Sequence, residues 1–278
     1  MKFGAHVSIA GGIQNAPKNA HDLGCECFQI FSRSPRGGKA PVIDAKVATE
    51  FKKEMKKYKM GDAFVHTPYY INFASSNNRI RFGSINVVRE ELERASLIGA
   101  KAVMTHIGSF KDYTKEVAMK KTISGLAEML KDYKGSAKFL LEISAGSGQI
   151  IGSTFEELKE IRDGIIKIDP RNEKHLGICF DTAHAFASGY DLKNDFDKVM
   201  KEFDKIIGLE KIRVLHLNDS KVELNKKADR HEHIGQGFIG AEVFKKIVKH
   251  PNLSQLDAIC ETKPNAIKED LKLLKSYR

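Results

Sequence analysis

GICFDTAHAFASGYD, residues 177–191, is the stretch on which the reading of the chain turns. An apolar run, Ile178-Cys179-Phe180, reads as a short buried strand that stops at Asp181; two small residues later comes His184, then a turn-rich Ala-Ser-Gly. A carboxylate and an imidazole therefore sit at the rim of a sheet, where a rigid strand end holds a side chain still and a loop leaves it reachable. Taken alone, the same residues also describe a core strand that ends in a polar turn. The flanking pattern separates the two readings.

On both sides the unit recurs. Strand-like runs at residues 2–7, 25–31, 62–66, 101–106, 137–142, 177–181, 212–217 and 256–261 alternate with helical segments. The first of these follows Gly11-Gly12 and stops at Gly24, and later ones are expected near 44–58, 83–98, 114–133, 154–166, 192–207, 241–249 and 265–277. Eight strands, each followed by a helix at βα spacing, predict an α/β fold, a closed (β/α)8 TIM barrel. An open doubly wound sheet is the alternative. No Pro/Gly/Ser linker or low-complexity run divides residues 1–278, which favours a single barrel domain with its working loops at the C-terminal face.

Composition narrows the partner. Lys+Arg 46 against Asp+Glu 36 gives a net charge of +10, which suits a polyanion, nucleic acid first, if the charge gathers on one face. Cys25, Cys27, Cys179 and Cys260 lie in apolar runs without a C-x-x-C pair, so they read as reduced core residues rather than a zinc ribbon or disulfide framework. With no signal-like N-terminus and no apolar run of membrane length, a cytoplasmic protein with no membrane partner is expected.

The strand ends carry the chemistry. Strands three to eight end in His66, His106, Glu142, Asp181, His216 and Glu261, and a parallel barrel brings those ends to one mouth. His184 and the pair Asp229 and His231 add to them from loops. A lone strand-end histidine is usually a hydrogen-bonded structural residue, but six consecutive ends of ligand type are hard to produce by chance. Five histidines and four carboxylates without thiolate suit Zn²⁺ and also accept Mn²⁺ or Fe, and nine ligands exceed what one ion takes, so two or three metals are expected. His21, His175 and His250 are expected to be solvated; the direction of His233 is open, and His6 ends strand one at the mouth.

GAHVSIAGG, HTPYYINFASSN, GICFDTAHAFASGYDL, HLNDSK, ADRHEHIGQG and ICET closely resemble the endonuclease IV, or deoxyribonuclease IV, family of DNA-repair enzymes, and the likeness runs nearly end to end. The resemblance implies a (β/α)8 barrel with three Zn²⁺ per chain, with Mn²⁺ as a possible substitute. It implies base excision repair: hydrolysis of the phosphodiester 5′ to abasic sites, leaving 3′-hydroxyl and 5′-deoxyribose phosphate ends. Carried over by motif, the first zinc takes His66, His106 and Glu142; the second shares Glu142 and adds Asp181, His216 and Glu261; the third takes His184, Asp229 and His231. Glu142 and Glu261 become the catalytic carboxylates. The implied partner is double-stranded DNA with abasic or 3′-blocked lesions, with Arg36 and Tyr69 filling the gap in the minor groove. Apart from the resemblance, Lys221, Lys226, Lys227 and Arg230 around the mouth are expected to contact phosphates, although lysine-rich faces are ordinarily only solvated, and a monomer is expected.

Three departures stand out. Ala183 replaces a cysteine common in the family without touching a ligand position. Gly37-Gly38 follow Arg36 where bulkier residues are expected to enter the minor groove, and Gln236 replaces a glutamate. Two rivals remain: a metal-dependent sugar isomerase or epimerase of the same barrel type, against which the third trio and the basic charge argue, and a non-catalytic damage-binding protein, against which the complete ligand set argues.

Overall fold

Eight parallel strands close on themselves in the computed structural model, which describes residues 1–278. In chain order the elements are β1 (Lys2–His6), α1 (Ala16–Leu23), β2 (Cys27–Phe31), α2 (Ala45–Lys57), β3 (Ala63–His66), α3 (Asn78–Ile98), β4 (Ala102–Thr105), α4 (Lys115–Leu130) and β5 (Lys138–Glu142). Then follow α5 (Phe155–Ile168), β6 (Leu176–Asp181), α6 (Thr182–Ser188), α7 (Leu192–Ile206), β7 (Ile212–His216), β8 (Asp219–Ser220), β9 (His231–Glu232), α8 (Ala241–Lys249), β10 (Asp257–Cys260) and α9 (Ile267–Lys275). The barrel runs β1-β10-β7-β6-β5-β4-β3-β2, so the chain winds around it once and β10 pairs back onto β1. The closed barrel holds and the open sheet is excluded.

Alternation of side chains divides the core in two. One face of the strands packs with the helices in a large apolar shell that includes Phe3, Phe28, Phe139, Phe155 and Phe203. The other face fills the barrel lumen with Cys27, Phe64, Ala102, Met104, Leu140, Cys179, Val214 and Ile259. All four cysteines are free and buried, as their apolar settings led us to expect. The fill leaves little room at β1, where a Cβ on Gly4 would land on the Cys27 carbonyl. No helix is long and apolar enough to cross a membrane.

One boundary moves and two short elements are added. The residues after Asp181, expected to form a turn, form α6: the Asp181 carboxylate caps it by accepting from the His184 N–H at 2.8 Å, and Gly189, at φ 124°, ends it. α3 starts at Asn78 rather than 83, because the Asn77 side chain accepts from the Arg79 and Ile80 N–H groups. Between β7 and α8 lies a small antiparallel pair, β8 with β9, that the βα rhythm does not announce.

The loop after β2 is anchored from below. Fully buried Glu91 of α3 accepts from Ser32 Oγ and Arg33 Nε, each at 2.5 Å, while Arg94 donates to the Ser32 and Pro41 carbonyls at 2.6 Å. Arg33 is thereby buried, whereas Arg36 further along the same loop is exposed.

At the opposite end of the barrel, Asp257 at the start of β10 faces Asp62 and Lys101, with Lys101 Nζ 2.7 Å from Asp62 and 3.8 Å from Asp257. Burial, then the neighbouring Asp62, raises the Asp257 carboxyl to about 6. A raised folded value stabilises the fold below the unfolded value near 3.8, and that contribution is lost as pH rises through about 6. Asp257→Asn is therefore expected to raise Tm at pH 8 by about 2–4 °C, on the order of 1 kcal/mol, with the gain shrinking by pH 4. Thermal melts of both proteins across that range check it, and a gain independent of pH would contradict a raised Asp257 carboxyl.

Candidate metal centre

All nine residues singled out from the strand ends and loops meet at the C-terminal mouth of the barrel. Their side chains are graded by depth. Glu142, Asp181 and His216 are fully buried and His66 and His184 nearly so, whereas Asp229 keeps 43 % of its side chain exposed. Each strand stiffens the residue at its end. His106 and Glu261 lie one residue past β4 and β10, still within reach of the others.

Glu142 is the centre of the arrangement. Its Oε2 lies 2.9 Å from His66 Nε2 and 3.6 Å from His106 Nε2, while its Oε1 lies 2.9 Å from His216 Nδ1. His216 Nδ1 is also 3.2 Å from Glu261 Oε2 and 3.7 Å from Asp181 Oδ2. Further out, His184 Nε2, His231 Nε2 and Asp229 Oδ1 form a triangle with sides of 3.3, 3.3 and 3.4 Å. Three donors of a tetrahedral Zn²⁺ with bonds of roughly 2.0–2.1 Å stand about 3.3–3.4 Å apart, so the triangle has the dimensions of a zinc face with one position open. Clusters able to hold an ion include His66, His106 and Glu142, and separately Glu142, Asp181, His216 and Glu261; His106 and Asp181 also come close to His184.

Hydrogen bonds behind the ring nitrogens agree with that use. His66 Nδ1 donates to the Thr67 carbonyl at 2.7 Å and His184 Nδ1 to the Ile143 carbonyl at 2.9 Å, so in each ring Nε2 is the nitrogen turned to the cluster. Charge in the site favours cations. Burial opposes a proton on His184, yet Asp181, Asp229 and Glu142 outweigh it and raise its pKa to about 10. Burial likewise opposes ionisation of Glu261, but His216 and the other histidines hold it at about 2. Cys179 lies under the cluster beside Glu142 and His216, where burial pushes its thiol up to about 12; it stays a neutral core residue.

The remaining histidines divide. His6 is at the mouth, and burial lowers it to about 4, which keeps it neutral. His21 is exposed, as expected, and His250 is half-buried near the Phe196 ring. His175, expected to be solvated, is instead buried edge-on against Tyr133, centroids 4.9 Å apart, a contact between distant elements that local polarity does not announce. His233 turns from the cluster to Asp270 of α9, 2.8 Å away.

Several positioning residues carried no signal of their own. Asn218 donates to Asp181 Oδ2 at 2.7 Å and accepts from the Glu261 backbone N–H at 2.7 Å, tying the Asp181 carboxylate to the main chain at Glu261. Buried Asp219 accepts from the backbone N–H groups of Ser220, Gly235, Gly237, Ile239 and Gly240 and so fixes the hairpin that carries His231. Both belong to HLNDSK, which is recognisable as a motif but not as a brace.

Over the mouth, the Tyr69 N–H donates to the Pro35 carbonyl at 3.3 Å, joining the loops that carry Tyr69 and Arg36. Tyr69 is 65 % exposed and stands edge-on to Phe31. Arg36, Lys221, Lys226, Lys227 and Arg230 are exposed as well.

Residues 17–277 match the family described as xylose isomerase-like TIM barrel. A probable endonuclease 4 of Methanoculleus marisnigri is 40 % identical over 262 residues, 93 % of this chain and 91 % of that protein. One of Aquifex aeolicus is 40 % identical over 265 residues, 94 % and 91 % of the two chains. Among solved structures, endonuclease IV from Thermus thermophilus superposes with a TM-score of 0.87 at 29 % identity, covering 100 % of this chain and 98 % of that one. A D-tagatose 3-epimerase-like protein superposes with a TM-score of 0.74 at 23 % identity, covering 100 % and 97 %, a likeness of fold alone.

Proposed function

This chain belongs to the endonuclease IV family, and on that premise we propose that it is a DNA-repair endonuclease that hydrolyses the phosphodiester 5′ to an abasic site in duplex DNA. The products are a 3′-hydroxyl and a 5′-deoxyribose phosphate. The observation that carries the proposal is the convergence of nine buried or half-buried donors, with Glu142 facing two sets at once and a third triangle at tetrahedral spacing beside them.

His66, His106 and Glu142 would hold one zinc; Glu142, Asp181, His216 and Glu261 a second; His184, Asp229 and His231 the third. Bound there, zinc supplies Lewis-acid neutralisation of phosphoryl charge and makes water acidic enough to act as a nucleophile at neutral pH. The chain's own residues set the stage for this. Glu142 keeps the first two positions adjacent through its two oxygens, and Asn218 holds Asp181 and Glu261 in register. The half-exposed Asp229 marks the side open to a phosphate backbone.

Recognition falls to the rim. An abasic nucleotide has lost its base and so its stacking and pairing, which lowers the cost of turning it out of the duplex. Tyr69 and Arg36, on loops joined through Pro35, fill the gap from the minor groove. Arg230 and the exposed lysines near it take phosphates.

The test uses duplex DNA carrying one abasic analogue, incubated with zinc-loaded protein with and without chelator, alongside metal analysis. Incision 5′ to the lesion, lost with chelator, and about three zinc per chain are expected. No incision by the metal-loaded protein would sink the repair reading, and turnover of a keto sugar instead would favour the isomerase.

A further inference from the structure

Two of the eight barrel strands contribute none of the nine donors. β1 ends in His6, and its partner across the sheet is Gln29 of β2. Gln29 is fully buried, yet its amide reaches the middle of the cluster. Its Oε1 lies 2.7 Å from His216 Nε2, and its Nε2 lies 2.6 Å from Glu261 Oε1 and 3.1 Å from His6 Nδ1.

The partners decide which way the amide points. An ionised carboxylate only accepts hydrogen bonds, so the NH2 of Gln29 faces Glu261 and its oxygen faces His216. An amide oxygen also only accepts, so His216 Nε2 carries a proton. Nδ1 is then the nitrogen left to bind a metal, and it is the atom that lies 2.9 Å from Glu142 Oε1 and 3.2 Å from Glu261 Oε2. The second amide proton goes to His6 Nδ1, which keeps the amide from rotating. Burying a primary amide is costly unless its polar atoms are taken up, and here all three bonds lead to the cluster or to the residue that steadies it.

We infer that Gln29, steadied by His6, is a positioning residue for the second zinc position: it keeps the Nε2 proton of His216, so that Nδ1 faces the ion, and it aims Glu261 at the same place. The inference rests on the metal-centre reading above. Partners behind a metal ligand typically contribute 10–100-fold to affinity.

The test compares zinc-loaded wild type, Gln29→Met and Gln29→Glu. Methionine matches the length of glutamine without its hydrogen bonds. Glutamate still accepts from His216 Nε2 but sets a second negative charge against Glu261. Titration with a chromophoric zinc chelator reads affinity, and long-range ¹H–¹⁵N spectra of the imidazoles read the His216 Nε2 proton. Q29M is expected to lose about 10–100-fold in affinity for one zinc equivalent, with the other two unchanged, and its Nε2 proton shifts upfield. Q29E keeps the proton downfield while weakening the same equivalent. Circular dichroism melts confirm that each variant is folded. Wild-type affinity for every zinc in Q29M overturns the inference. A wild-type protein that takes up no zinc overturns the metal-centre reading itself, independently of the variants.

Discussion

Glu261→Gln is expected to lower incision of abasic-site DNA by roughly 10³-fold or more, about 4 kcal/mol of transition-state stabilisation, while lesion binding survives. Glu261 Oε2 stands 3.2 Å from His216 Nδ1, opposite Glu142, in a buried site that holds its carboxyl at about 2. Glutamine keeps the shape and removes the charge. One of its ends would also turn an amide NH2 either toward the cluster or against the NH2 of Gln29, which now donates to Glu261 at 2.6 Å. The position proposed for the second zinc would lose both charge and order, whereas the exposed rim residues proposed to meet DNA lie elsewhere. Single-turnover incision measured beside the Kd for an uncleaved lesion duplex separates the two effects. A variant that keeps most of its incision rate removes Glu261 from the metal set.

Glu91→Ala should have the largest effect on stability, about 3–5 kcal/mol, because it strands buried cations rather than merely deleting a contact. Glu91 is wholly enclosed and neutralises Arg33, with Arg94 Nε 3.5 Å from the same carboxylate. The second charge on Arg33, Glu90, lies at the surface and cannot replace it. Denaturant unfolding reads the loss directly. The loop bearing Arg36 is held at Ser32 and Pro41 by the same network, so weaker lesion binding is expected alongside the loss of stability. Unfolding within about 1 kcal/mol of wild type would mean that the network is not a brace.

How much of this is legible in the sequence depends on the distance over which each feature is encoded. Periods of about 2 and 3.6 residues are local, so eight strands and their helices can be counted from apolar runs alone. Because strand ends in a parallel barrel share one face, His66, His106, Glu142, Asp181, His216 and Glu261 can be grouped without a single distance. Caps act over three residues, and there the apolar period misleads: Asp181 looks like the start of a turn although it caps α6, and Asn77 starts α3 earlier than the pattern shows.

The opening stretch shows where the boundary lies. From sequence, Asp181 and His184 are a carboxylate and an imidazole three residues apart at a strand end, both of a type able to bind a metal. Only the fold turns them to different partners, Asp181 Oδ2 toward His216 and Asn218 and His184 Nε2 toward Asp229 and His231. Gln29, Asn218, Asp219 and Glu91 lie further beyond sequence reasoning, because a buried polar side chain has a role only through the partners that satisfy it. For Gln29 and Glu261 those partners stand 232 residues apart in the chain. Residue chemistry and periodicity, which are local, determined the barrel and its donor set; the pairing of buried hydrogen bonds, which is not local, was decided only when the barrel closed.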